Sequence, residues 1–307
     1  MLLGFALPQC GSAAGPDAVT TVAQHAEAVG FDSLWVFDRT LSPVNPKAPY
    51  PIKDGILPIK FKNTLDPLET LTFAAAHTRG VALGTSVLNL PWYNPVLLAR
   101  QLTSLDVLSG GRLRVGLGIG WSPDEYEAAG TPWRERGKRA DELMDALKTI
   151  WTTDPVEFRG QYYQIPRSFI GPKPVQKPHP PIYMAAYTPA AMKRVAKEAD
   201  GWFPVGIPLG GVAQMFEGIK GMTQEAGRDP AGLALIIRAN VEISDAPLGQ
   251  DRADFTGTLE QIAQDVAATR KLGAAELLFD VQFSPGVETA HDIVARMEQL
   301  WQVVKQS

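Results

Sequence analysis

VALGTSVLNLPWYNPVLLARQLTSLDVLSGGRLRVGLGIGW, residues 81 to 121, reads as an apolar strand, a turn holding Pro91 and Pro95, an amphipathic helix and a second strand ending in alternating glycines. This is a β-α-β unit. Its leucine and β-branched runs are what parallel strands buried on both faces require. Both strands end in small residues, which let a flat ligand lie close against the backbone. The unit therefore has the character of a cofactor-site floor.

Working outward, strands alternate with helices along the rest of the chain. Strands are expected near residues 2–8, 33–37, 81–88, 112–118, 182–186, 201–204, 233–241 and 275–281, and helices near 17–29, 66–78, 95–109, 136–152, 189–199, 211–226, 258–272 and 288–305. Eight such pairs close naturally into a (β/α)8 TIM barrel, and 307 residues suit one such domain spanning 1–307. The doubly wound alternative lacks its glycine fingerprint. Strand 1 runs into Gln9-Cys10-Gly11-Ser12, and the glycines at 116, 118 and 120 are followed by Trp121.

Two insertions are expected, after strands 2 and 4. Residues 39–65 carry prolines at 43, 46, 49, 51 and 58 and follow strand 2 at the C-terminal face, where they read as a lid or as a mobile excursion. Residues 155–181 read as a hairpin around Arg159-Gly160-Gln161 followed by a proline-rich lead into strand 5.

Composition narrows the function classes. Twenty-nine basic against 33 acidic residues give a net charge of -4 with no basic stripe for nucleic acid, and no apolar run is long enough for a membrane span. MLLGFALPQCGSAAG at the N-terminus lacks the basic region of a signal peptide and reads as the first strand. The lone Cys10 rules out an intrachain disulfide and fits a reducing compartment, so a cytoplasmic protein acting on a small molecule is expected.

In such a barrel the chemistry lies where strands end. Those ends deliver Asp38 and Arg39, Asn89 to Trp92, Trp121, Ala186 to Thr188, Phe203, Asn240 and Asp280. His25, His77 and His291 sit within helices and His179 in the proline-rich lead, so neither a histidine metal cluster nor a Ser-His-Asp triad assembles, and no metal is expected. A mouth of aromatic and small residues with few acids or bases suits an enzyme whose bound cofactor does the chemistry. Thr188 before Pro189 reads as a helix cap whose neighbouring N–H groups favour a phosphate, with Thr256-Gly257-Thr258 as a competing site. Arg238 and Asn240 share one side of strand 7 and either fill the barrel or reach the pocket. The acidic run Asp124-Glu125-Tyr126-Glu127 reads as a short helix with surface pairing to Arg134, Arg136 and Arg139.

The phrases GTSVLNLP (84–91), NPVLLARQLTSLDVLSGGRL (94–113), GLGIGW (116–121), GFDSLWVFDR (30–39) and ADGWFP (199–204) resemble the bacterial luciferase-like superfamily, in particular its branch that uses the deazaflavin coenzyme F420. The resemblance implies a homodimer, with helices 2 and 3 as contact surfaces, and an F420-dependent hydride transfer at the C-terminal mouth. It also implies a non-proline cis peptide at Ser86-Val87 behind the ring and cofactor contacts from Asp38, Arg39, Asn89, Gly118 and Trp121. The phosphate is expected on Ala186, Tyr187 and Thr188. Where sugar-phosphate dehydrogenases of this branch carry a histidine and a glutamate, this chain has Arg39 and Trp121, so their acid and base do not carry over. Arg39 and Trp121 remain as candidate catalytic residues. Arg39 either meets a cofactor or substrate anion or is locked to Asp38 or a lid carboxylate. Three alternatives stand beside F420 chemistry: an FMN-dependent monooxygenase, a flavin-binding protein without turnover and, remotely, a metal-dependent hydrolase.

Overall fold

A computed structural model describes residues 1–52 and 54–306; Lys53, inside the segment expected to form a lid, and Ser307 lie outside the described residues. The strands are β1 Leu2–Ala6, β2 Ser33–Val36, β3 Ala82–Thr85, β4 Leu113–Gly118, β5 Ile182–Met184, β6 Gly201–Trp202, β7 Ala234–Asn240 and β8 Glu276–Asp280. Each pairs in parallel with the next, and β8 pairs with β1, which closes the barrel. A further short strand, Leu88–Asn89, continues β3 past a bulge and also pairs with β4. The fold is a (β/α)8 barrel with extra helical and strand insertions.

Around it lie α1 Pro16–Val29, α2 Pro67–His77, α3 Pro95–Leu108, α4 Pro123–Ala128, α5 Arg136–Thr152, α6 Pro189–Glu198, α7 Leu209–Glu225, α8 Leu259–Lys271 and α9 Ala290–Gln306. Local sequence sets where they begin. A proline opens α1, α2, α3, α4 and α6, where its missing N–H costs nothing. Asp66 caps α2 through Leu68 N and Glu69 N, and Asn94 caps α3 through Val96 N and Leu97 N. The acidic run is indeed a short helix, α4.

Aliphatic side chains fill the shell between strands and helices, and burial of each large one contributes roughly 1.5–3 kcal/mol. The barrel interior holds a smaller group of Ala6, Trp35, Phe203, Ile236 and Leu278. Trp35 fits because β1 and β3 offer glycine beside it. A Cβ at Gly84 would lie 2.2 Å from the Trp35 ring, and one at Gly4 would lie 2.7 Å from Trp35 Nε1. The indole N–H donates to Ser33 Oγ at 2.7 Å and Glu276 Oε1 at 2.8 Å, while Glu276 also pairs with Arg114. This polar group closes the N-terminal end of the barrel.

The two insertions serve opposite ends. Residues 39–52 and 54–65 cross the C-terminal mouth. The hairpin Val156–Arg159 and Gln164–Ser168 precedes β5, and its lead is tied to the N-terminal side where Asp106 accepts from Val175 N at 2.7 Å and Gln176 Nε2 at 2.7 Å. Among the described residues no helix is long and apolar enough to cross a membrane, and no group of three metal-ligating side chains is placed to hold an ion.

Candidate functional site

A cavity of about 720 Å³ opens at the C-terminal mouth, within the size range of small-molecule sites. Its floor is the bulge that interrupts β3. The Ser86-Val87 peptide is cis, as the resemblance implies. The alternating glycines of β4 make room for it: a Cβ at Gly116 would lie 1.8 Å from the Thr85 carbonyl oxygen, and one at Gly118 2.6 Å from Val87 Cγ2. Thr85 fastens the two strands, donating through Oγ1 to Gly116 O at 2.8 Å and accepting from Gly116 N at 2.9 Å.

Of the residues the sequence singled out, Asp38, Arg39, Ser86, Val87, Asn89, Gly118, Trp121 and Tyr187 all line this cavity. Ala186 and Thr188 do not. Ala186 is buried and its carbonyl accepts from Trp202 Nε1, while Thr188 is exposed and caps α6 through Ala191 N. At the competing helix start Thr258 and Gln261 satisfy one another in a capping box, and none of Thr256, Gly257 and Thr258 lines the cavity. Arg238 and Asn240, left undecided by the sequence, both reach the cavity.

Burial and hydrogen bonding set the electrostatics. Asp38 Oδ2 accepts from Asn89 N at 3.0 Å and Tyr93 Oη at 3.1 Å; even so, burial pushes its carboxyl up to about 6. Arg39 pairs with neither Asp38 nor a lid carboxylate. Its Nη1 donates to Glu125 Oε2 at 2.6 Å, and Thr40 N donates to Glu125 Oε1 at 2.9 Å. The expectation of surface pairing for the 124–127 run therefore fails at Glu125. This carboxyl is 1% exposed and raised by burial, an effect that Arg39 opposes. Asp124 and Glu127 instead hold Lys47 of the loop, through its N–H and its ammonium group. Arg238 pairs with Asp280 and donates through Nη1 to Ser86 O at 3.0 Å, which ties β7 and β8 to the bulge.

Sequence spacing missed the Arg39–Glu125 pair because it joins the ends of different strands. One local signal was present. Ser122-Pro123 opens α4 with Ser122 Oγ accepting from Glu125 N, which fixes Glu125 on the first turn of a helix that begins at the mouth.

Aromatic rings wall the upper chamber beneath the 39–65 loop. Tyr50 lies 5.5 Å from Trp121 and 5.7 Å from Phe61, and the Arg39 guanidinium lies 4.6 Å from the Phe61 centroid and 5.2 Å from that of Trp121. Cys10 packs with Phe37 and Phe61 below them. Burial pushes its thiol up to about 12, and Sγ lies 3.5 Å from Gln282 Oε1.

The cavity fits a polar-edged planar cofactor on three counts. Its volume is adequate, its floor is glycine-backed, and two buried atoms on its lining, Arg238 Nε and Asn240 Oδ1, have no hydrogen-bond partner, while Arg39 Nε beside the aromatic rings is a third such atom open to any ligand. Such atoms are costly unless a ligand completes them.

Comparisons with known proteins agree with this geometry. Residues 1–248 match the family model described as luciferase-like monooxygenase. The uncharacterized protein Rv0953c of Mycobacterium tuberculosis is 34% identical over 266 residues, covering 83% of this chain and 92% of its own. An FMNH2-dependent dimethylsulfone monooxygenase of Pseudomonas putida is 34% identical over 148 residues, 47% of this chain and 40% of its own. Among solved structures, monooxygenase RslO1 from Streptomyces bottropensis superposes with a TM-score of 0.81 at 21% identity, covering 100% of this chain and 99% of its own. An F420-dependent secondary alcohol dehydrogenase in complex with an F420-acetone adduct superposes at 0.76 with 18% identity, covering 97% and 98%. At these identities the structural likeness shows the shared barrel. Together with the family match, the cavity makes this chain a flavin- or deazaflavin-binding oxidoreductase acting on a small organic substrate, and it belongs to the luciferase-like monooxygenase family.

Proposed function

We propose that this protein binds flavin mononucleotide at the barrel mouth and oxygenates a small organic substrate. The observation that carries this reading is the commitment of the buried acids on the cavity lining. Asp38 is held by Asn89 and Tyr93, Glu125 by Arg39 and Thr40, and Asp280 by Arg238, and among the described residues no histidine lines the cavity. Oxidising an alcohol by hydride transfer requires a base at the hydroxyl. Oxygenation by a reduced flavin draws its reactivity from the ring and dioxygen. The FMNH2-dependent relative supports the same direction.

The roles proposed for the protein follow from its contacts. Ser86, Val87 and Gly118 would back the ring, with Asp38, Asn89 and Arg238 at its polar edge. Tyr187, 48% exposed, would face the phosphate-bearing tail beside Ala186 and Thr188. Tyr50, Phe61 and Trp121 would exclude water, and the 39–65 segment would act as a lid. A homodimer through α2 and α3 is supported by the exposure of Phe73, Leu97 and Leu108 on those helices.

A second reading, reversible hydride transfer by F420, is favoured by the GTSVLNLP and GLGIGW phrases at the cavity floor, which carry the resemblance to that branch. Side-by-side titration with FMN and F420, followed by ring absorbance and Trp fluorescence, separates the two. Saturation by FMN together with substrate-stimulated oxygen uptake by the reduced complex is the expected result. Tight binding of F420 alone would replace the first reading with the second, and binding of neither would remove both.

A further inference from the structure

We infer that the chamber above the ring accepts an uncharged, mainly apolar substrate carrying one hydrogen-bond acceptor, which takes the free Nε–H of Arg39, and that Glu125 sets this preference by cancelling the arginine's charge. The inference rests on the reading of this cavity as a joint cofactor and substrate site.

The charge balance is the first support. Among the described residues three cations line the cavity, and each already faces a carboxylate. Arg39 pairs with Glu125 at 2.6 Å, Lys60 with Glu288 at 3.2 Å, and Arg238 with Asp280. Lys60 Nζ further donates to Gln282 O at 2.9 Å. Leaving Glu242 aside, the lining carboxylates Asp38, Asp54, Glu125 and Asp280 outnumber these cations. Among the described lining residues an anionic substrate would meet no cation without a carboxylate partner, and an anion buried without such a partner is strongly disfavoured.

The second support is the state of Arg39 itself. Its side chain is 7% exposed, it stands between the Phe61 and Trp121 faces, and two of its three nitrogens differ: Nη1 is taken by Glu125, whereas Nε is buried without a partner. A neutral carbonyl, sulfone or ether oxygen satisfies that donor without adding charge. The surrounding rings supply apolar contact for the rest of the molecule.

The test uses three matched probes, acetophenone, ethylbenzene and benzoate, titrated by calorimetry into the protein with and without FMN. Acetophenone is expected to bind about tenfold more tightly than ethylbenzene, reflecting one charge-assisted hydrogen bond, and at least about tenfold more tightly than benzoate. Glu125→Gln leaves Arg39 uncompensated and is expected to move the benzoate-to-acetophenone ratio at least about tenfold toward benzoate. Arg39→Lys keeps the charge and loses Nε, so the advantage of acetophenone over ethylbenzene should vanish even if Glu125→Gln does not fold. Preference of the unmodified protein for benzoate, or probe ratios unchanged in both folded variants, would overturn the inference. If FMN fails to bind while the probes keep the stated order, the cofactor reading falls and this one stands; if FMN binds and benzoate is preferred, only this one falls.

Discussion

The two ends of the barrel use the same pair of residue types to different effect. At the N-terminal end Arg114 and Glu276 meet beneath Trp35, and Glu276 also accepts from Ser33 and the indole N–H, so the carboxylate is fully engaged. At the C-terminal end Arg238–Asp280 and Arg39–Glu125 are equally buried, yet each arginine keeps an Nε with no partner. A closed polar group fills space and fixes register. An open one is a binding surface waiting for its other half, and this difference locates function within a barrel whose strands are otherwise alike.

The largest test of that contrast pairs two glycines. Gly84→Ala drives a Cβ to 2.2 Å from the immobile Trp35 ring and should cost about 4 kcal/mol or more in chemical denaturation. Gly118→Ala clashes with Val87 Cγ2 alone, at 2.6 Å on the cavity side, so stability should fall by less than about 2 kcal/mol while FMN binding weakens. Equal losses of stability would erase the distinction between the ends.

Next, Arg114→Met should destabilise the fold by about 3–5 kcal/mol, since it strands the buried Glu276 carboxylate. Arg238→Met should show its effect mainly as a roughly 10- to 100-fold weaker FMN affinity, measured by fluorescence titration. An Arg238→Met protein that binds FMN normally would place Arg238 with the structural pairs.

The smallest effect concerns Asp38. Its carboxyl titrates near 3.8 when free and at about 6 in the fold, so the folded protein binds the extra proton between those values. Stability from this group is therefore greatest below the free value, falls as pH rises to about 6 and is level above it, a change of about 1–3 kcal/mol. Asp38→Asn should flatten that part of the curve in urea titrations at stepped pH. An unchanged slope would mean that another group titrates there.

Much of this was legible in the sequence because it is written locally. Prolines and capping residues mark the starts of α2, α3 and α6, apolar runs mark the strands, and the GTSVLNLP and GLGIGW phrases place the bulge at Ser86-Val87. What stayed hidden depends on closure. Arg39 and Glu125 are 86 positions apart and meet because β2 and β4 end at one rim; the same closure decides whether Arg238 on β7 faces packing or cavity. The strand-5 turn shows the converse. Thr188 does cap its helix, yet neither it nor Ala186 lines the cavity, because the chain turns outward after Tyr187.

The solitary cysteine has a practical consequence. Cys10 is 2% exposed and its thiol stays protonated at neutral pH, so reagents that need a thiolate pass it by. A cysteine placed at Ile52, whose side chain lies near Gly206 across the rim, would be the sole reactive handle on the molecule. A dye attached there would test whether the segment around Ile52 moves over the cavity when cofactor or substrate binds, with the unmodified background silent.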